Sequence, residues 1–143
     1  MQYRYPVKLT RLDNGSMSAE FPDVPEALTH GVDEDNTLYW ARDALLVALS
    51  GYMDDRRSIP VPSEPKRSAR VLEIPPMQSV KLAIYQAMPE NHVTQAALGE
   101  RMRIDGRQVR RILDLDHNTR LDHLLRALEV LGKRVSVAID NAA

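Results

Sequence analysis

Apolar and polar residues alternate near the start of the chain, where Tyr3, Tyr5, Val7 and Leu9 interleave with Gln2, Arg4, Lys8 and Thr10. A period of two predicts a half-buried strand. Asn14-Gly15 is a hairpin turn pair, so Met17–Phe21 is the expected returning strand. Pro22 and Pro25 interrupt the ladder, because proline has no N–H to donate, and Leu28–Val32 suits a short third strand. The period then lengthens. Leu38, Ala41, Leu45, Ala48, Leu49 and Tyr52 recur every three or four residues. This predicts a helix from about Leu38 to Asp54, capped by Asn36 or Thr37. The run Ile59-Pro-Val-Pro-Ser-Glu-Pro65 stops regular structure, and Arg70-Val-Leu-Glu-Ile74 reads as a strand ending at Pro75-Pro76.

The second half is mostly helical in pattern. One helix is expected over Met77–Met88, ended by Pro89, which disfavours helical geometry at the residue before it. Two more lie within Thr94–Leu113, and a fourth runs from about Thr119 to Leu131 with Leu121, Leu124, Leu125 and Leu128 on one face before Gly132. Val135, Val137 and Ile139 then alternate with Ser136 and Ala138 as a closing strand, able to pair with its own copy or with Val71–Ile74. The fold class is therefore α+β. The expected organisation is a β-β-β-α domain over 1–60, a proline-rich linker with room for a short strand over 61–76, and a helical domain over 77–143.

Five arginines lie between Arg101 and Arg111, with Asp105 the sole acid among them. Thr94 offers an N-cap hydroxyl. Gly99 costs a helix about 1 kcal/mol against alanine, a cost that close approach of a second helix would justify. At about 100° per residue, Val109, Ile112 and Leu113 cluster on one side, while Arg107 and Arg111 project from the other and Arg110 from a flank. This stretch resembles a helix-turn-helix of the phage-repressor type, with Gln95 near the first helix's start and Leu98, Gly99, Met102, Val109 and Ile112 at its small and apolar positions. Arg103 stands where that turn usually has glycine. Arginine can bond guanine through two parallel hydrogen bonds, and glutamine can pair with adenine. Arg103, Arg107, Gln108, Arg110 and Arg111 are accordingly expected at double-stranded DNA, with Thr94 and Gln95 on phosphates. Such motifs usually act as symmetric pairs, so a homodimer or higher homo-oligomer is expected.

Net charge divides unevenly. Residues 1–65 hold six basic and eleven acidic side chains, and residues 66–143 hold thirteen basic and nine acidic. Opposite signs suggest partners of opposite charge. There are no cysteines, hence no disulfide or thiolate metal site. No run approaches the ~20 apolar residues of a membrane span, which makes a cytoplasmic protein the expectation.

Phe21-Pro-Asp-Val-Pro25, followed by Thr29-His-Gly31, an alanine- and leucine-bearing helix and the ending Ile59-Pro-Val-Pro-Ser63, resembles the HicB antitoxins, in the branch that carries a helix-turn-helix. Leu113-Asp-Leu-Asp-His-Asn-Thr-Arg-Leu121 and Ala127-Leu-Glu-Val-Leu-Gly132 match that branch's second half. Glu26 stands where members often have glycine, and Val32-Asp33 replaces a usual acid–threonine pair. The resemblance implies a degraded ribonuclease-H-like first domain and a HicA-type partner, a small basic ribonuclease that cleaves messenger RNA. It also implies repression of the operon by the second domain. An acidic domain can occupy a cationic RNA-binding surface, and Asp23, Glu26, Asp33, Glu34 and Asp35 are the acids expected nearest the toxin.

Catalysis is not expected. Glu20, Asp23, Asp33 and Asp43 could in principle meet, but the leading strand lacks an acid and a two-metal site needs converging carboxylates. His30, His92, His117 and His123 have no ligand spacing, so neither metal nor cofactor is expected. Tyr39, Trp40 and Tyr52 are read as core or interface. The competing reading is a helix-turn-helix repressor whose first domain senses a ligand or only dimerises.

Overall fold

The structure is a computed structural model and describes residues 2–142. The chain forms two compact units that divide between Ser79 and Val80. In chain order the elements are β1 (Arg4–Arg11), β2 (Met17–Glu20), β3 (Leu28–Gly31), α1 (Glu34–Asp54), β4 (Arg70–Glu73), α2 (Pro76–Glu90), α3 (Gln95–Met102), α4 (Gly106–Ile112) and α5 (Leu121–Val130). The fold is mixed α+β, with one four-stranded antiparallel sheet and five helices among the described residues. None of these helices is long and apolar enough to cross a membrane.

The sheet order is β3-β2-β1-β4. Strand β1 divides its partners: Arg4–Val7 pair with β4 (Tyr5 opposite Leu72), and Lys8–Arg11 pair with β2 (Leu9 opposite Ala19). The Tyr3 carbonyl accepts from the Ile74 N–H at 2.9 Å, and the Leu12 N–H donates to Ser16 O at 2.8 Å. Odd-numbered residues of β1 therefore direct their backbone groups to β4 and even-numbered ones to β2. Pro6, which lacks an N–H, falls on the β2 side before that pairing begins, where no ladder bond is lost. Tyr3, Tyr5 and Val7 are buried with Ala19, Phe21, Leu45, Leu49 and Leu72. The Tyr5 hydroxyl donates to Pro60 O at 2.7 Å, and burial holds that phenol protonated well above its ordinary range.

The expected boundary at residue 60 is corrected by this sheet. Residues 70–73 do not belong to a linker but form the sheet edge beside β1, so the first unit continues to Ser79. Helix α1 also starts earlier than expected. Its N-cap is Asp33, not Asn36 or Thr37, and the Asp33 carboxylate accepts from the Asn36 N–H at 2.8 Å. Asn36 turns back to accept from the Val32 N–H at 3.0 Å, and the Thr37 hydroxyl donates to Asp33 O. Gly31 permits this close packing. A Cβ there would lie 2.6 Å from Asn36 Oδ1, Thr37 N and Thr37 Oγ1.

In the second unit, α2 continues through Pro89 to Glu90. A proline in the last turn forgoes little, and the end is held instead by Asn91, whose backbone and side-chain N–H groups both donate to Ala87 O. Leu82, Ile84, Leu98, Met102, Ile112 and Leu124 are fully buried in this unit. The expected closing strand is absent: residues 133–142 adopt no regular structure, and Val137 and Ile139 are 77% and 90% exposed. Within Val71–Ile74, the ladder of β4 is with β1. On α5, Leu124, Ala127 and Leu128 face the core, while Leu121 and Leu125 are exposed, so the apolar stripe is wider than the core it covers.

Candidate nucleic-acid interface

Helix α3 opens on Thr94, whose hydroxyl accepts from the Ala97 N–H at 3.1 Å. It closes on Arg103 in the left-handed region, at φ 57 and ψ 48. The Arg103 backbone thus adopts the conformation that glycine would give the turn at no steric cost. The next N–H, of Ile104, donates to Gly99 O at 3.0 Å. Gly99 itself lies where α4 approaches α3, since a Cβ there would be 3.1 Å from Ile104 O and 3.3 Å from Val109 Cγ2. Close approach is thus the geometric reason for glycine in mid-helix.

Helix α4 begins with a reciprocal cap. The Asp105 carboxylate accepts from the Gln108 N–H at 2.8 Å, and Gln108 Oε1 accepts from the Asp105 N–H at 3.2 Å. The only acid between Arg101 and Arg111 is therefore spent on the helix start, where its charge suits the dipole. The same bond occupies the Gln108 amide oxygen and leaves its NH2 group without a hydrogen bond among the described residues. Val109 and Ile112 are buried, whereas Arg107, Arg110 and Arg111 are exposed. Leu98, Gly99 and Met102 are buried on the α3 side of the same seam.

Not all the expected contact residues converge. Gln95, Arg103 and Arg110 line one open recess of about 430 Å³ with Gly99, Glu100 and Gly106. Arg107, Arg111 and Thr94 are exposed outside it, and Gln108 is half-buried. The recess holds one carboxylate, Glu100, against two guanidinium groups.

Lys81, which the pattern reading passed over, organises the far end of α4. It is fully buried on α2. Its ammonium, with three N–H groups to share, lies within hydrogen-bond reach of four oxygens: the carbonyls of Arg111, Asp114 and His117 at 2.8, 2.6 and 2.7 Å and Thr119 Oγ1 at 2.7 Å. One cation thereby gathers the last turn of α4 and the loop that leaves it. Burial pulls this ammonium down to about 8, against the opposing pull of Asp114. The available signal was its spacing: Lys81 shares a helical stripe with Ile84 and Met88, both buried.

In the first unit, the acids expected nearest a basic partner are mostly engaged internally. Asp23 accepts from both the N–H and the hydroxyl of Ser63. Glu26 accepts from the Tyr52 hydroxyl at 2.7 Å and lies 3.4 Å from Arg57. The Tyr52 hydrogen bond, with that of Arg57 behind it, holds the Glu26 carboxyl below the usual carboxylate range. Glu34 pairs with Arg70, and Asp33 is the cap of α1. Of the five, only Asp35 enters no hydrogen bond or ion pair among the described residues. Nor do three or more carboxylates or imidazoles gather there into a site that could hold a metal. Tyr52 is core, but Tyr39 and Trp40 are exposed.

A family model described as a HicB-like antitoxin of bacterial toxin–antitoxin systems matches residues 4–83, a span that takes in β4 and so agrees with the larger first unit. Antitoxin HicB 2 of Photorhabdus laumondii is 34% identical over 134 residues, covering 94% of each chain. Antitoxin HicB of Escherichia coli K12 is 33% identical over 136 residues, 95% of this chain and 99% of its own. Antitoxin HicB of Pseudomonas fluorescens is 32% identical over 129 residues, 90% and 88% of the two chains.

Proposed function

Because the chain belongs to the HicB-like antitoxin family, we propose that it masks a HicA-type ribonuclease with its first unit and represses its own operon with its second. The observation that carries the DNA half is the composition of α4. One side is buried through Val109 and Ile112, and the other presents Arg107, Arg110 and Arg111 to solvent. In this reading α3 and α4 are a helix-turn-helix. Helix α4 enters the major groove, its arginines on guanines or groove walls, while Thr94, Gln95 and Arg103 hold the backbone and Gln108 contributes through its amide NH2. Two copies bind one operator. The exposed, alternating Val137 and Ile139 pair across the two-fold axis, beside Leu121 and Leu125 of α5.

The first unit acts by binding alone, a degraded ribonuclease-H-like sheet with α1 as platform, and no step of catalysis falls to it. The protein works in the cytoplasm, where its messenger RNA-cleaving partner and operator both reside. The test is a titration of the upstream operator duplex over a range of salt. Affinity should fall steeply, with a log–log slope near −0.9 for each phosphate neutralised. Arg107→Ala and Arg111→Ala should weaken binding while toxin neutralisation persists. A flat salt response, or equal loss of both activities in a folded variant, would refute this division of labour.

A further inference from the structure

Helix α1 completes its inward face with Thr37, Ala41, Leu45, Leu49 and Tyr52. Tyr39, Trp40 and Val47 lie outside that face and are 68%, 44% and 64% exposed. The chain has five tyrosines, one tryptophan and one phenylalanine. Tyr3, Tyr5, Phe21 and Tyr52 are buried and Tyr85 is half-buried, so Tyr39 and the sole tryptophan are the rings left to water from a scarce stock. The two exposed rings meet edge to face, with centroids 5.2 Å apart and planes at 83°. Such a pair holds its shape before any partner arrives, and ordered aromatic rings lose little entropy on binding.

Charge selects the occupant. Asp43 lies one turn from Tyr39, Trp40 and Val47 alike, Asp35 lies one turn before Tyr39, and Arg42 is the only cation of the helix. Aromatic anchors with a polar rim are the usual anatomy of a protein interface. A second copy of this chain is disfavoured, because a two-fold contact would set the same acids against one another. The occupant that fits has an apolar patch flanked by lysine or arginine.

We propose that the outer face of α1 is the toxin-docking surface, with Tyr39, Trp40 and Val47 filling an apolar patch and Asp35 and Asp43 meeting the cations beside it. This rests on the antitoxin reading and relocates its contact surface. Asp23, Glu26, Asp33 and Glu34 support the fold of the first unit, and of the acids expected from the sequence only Asp35 faces the toxin.

The test uses the full-length chain, co-expressed with the reading frames that flank its gene and co-purified. Tyr39→Ala combined with Trp40→Ala should weaken the complex by about a hundredfold or more, as truncation of paired aromatic anchors does. Asp35→Lys combined with Asp43→Lys should slow association and remove its salt dependence. Far-ultraviolet circular dichroism and the thermal unfolding of the first unit should be unchanged in both, which reports that the mutated unit is folded. A fluorinated tryptophan at position 40 should shift its single fluorine resonance when the wild-type complex forms. If both double variants neutralise the toxin as well as wild type, or the resonance stays in place, the docking surface is elsewhere and the antitoxin reading survives. If the wild-type chain captures no neighbour product, that reading fails and takes this one with it. If Trp40→Asp dissociates a homo-oligomer without affecting the toxin complex, the face belongs to a second copy and the proposal is overturned.

Discussion

Arg103→Gly should make the protein more stable and a weaker repressor. At φ 57 and ψ 48 the Arg103 backbone is in the left-handed region, where a Cβ crowds the carbonyl oxygen at a cost of about 1–2 kcal/mol. Glycine removes that cost but gives the unfolded chain more freedom, worth about 0.4–1 kcal/mol in the opposite direction. The steric relief wins, leaving a gain of roughly 0.5–1 kcal/mol, or a rise of about 2–8 °C in Tm for a unit of this size. The side chain is exposed and lines the recess with Gln95 and Arg110, so its loss removes one cation from the proposed DNA face. Operator affinity should fall several-fold, and the salt slope should flatten by about one. Thermal unfolding followed by circular dichroism, with operator titrations at several salt concentrations, measures both. A variant no more stable than wild type would show that the turn holds no strain. Unchanged affinity and slope would show that Arg103 does not face the duplex.

Three further outcomes are expected. Gly31→Ala should lose about 2–4 kcal/mol in urea unfolding, because its Cβ would sit 2.6 Å from Asn36 and Thr37 atoms at the start of α1 and overpacking would break the cap bonds there; a loss under about 1 kcal/mol would mean that the helix end yields freely. Lys81 makes the second unit's stability depend on pH. With its folded value near 8 and its ordinary value at 10.5, the unfolded chain holds more protons in that window, so stability should rise with pH across it, by about 3 kcal/mol. It should be level below the window, and Lys81→Met should abolish the slope. Val137→Asp with Ile139→Asp should convert a dimer to a monomer in sedimentation and weaken operator binding; an unaltered dimer would place the contact elsewhere.

Much of the architecture was legible because period is a local property. Alternation marked β1, the stop at Pro75-Pro76 marked the strand before it, and three- and four-residue spacing marked the helices and the inward side of α4. The glycine penalty at Gly99 correctly announced a close helix approach. Caps were less legible for a defined reason. Asp33, Asn36 and Thr37 are all able to cap a helix, and the contact of α1's first turn with Gly31 of β3 chooses among them. Acids were harder still. A carboxylate's one-dimensional context does not reveal that its partner is Ser63, Tyr52 or Arg70, between 26 and 40 residues away.

The sequence by itself determined the order of most strands and helices (though not the fate of 135–139), which side of α4 is arginine, and the family to which the chain belongs. Each of these is written in neighbouring residues or in their order. Only the tertiary structure decided that 70–73 completes the first unit's sheet and that Lys81 gathers oxygens from the end of α4 and the loop after it, 30 to 38 residues on. It alone decided that Tyr39 and Trp40 face water and that residues 135–139 form no strand. Such matters depend on which distant groups meet and on how much apolar surface the core can cover. Both are settled when the chain closes on itself, by burial and hydrogen bonding between segments that no local period connects.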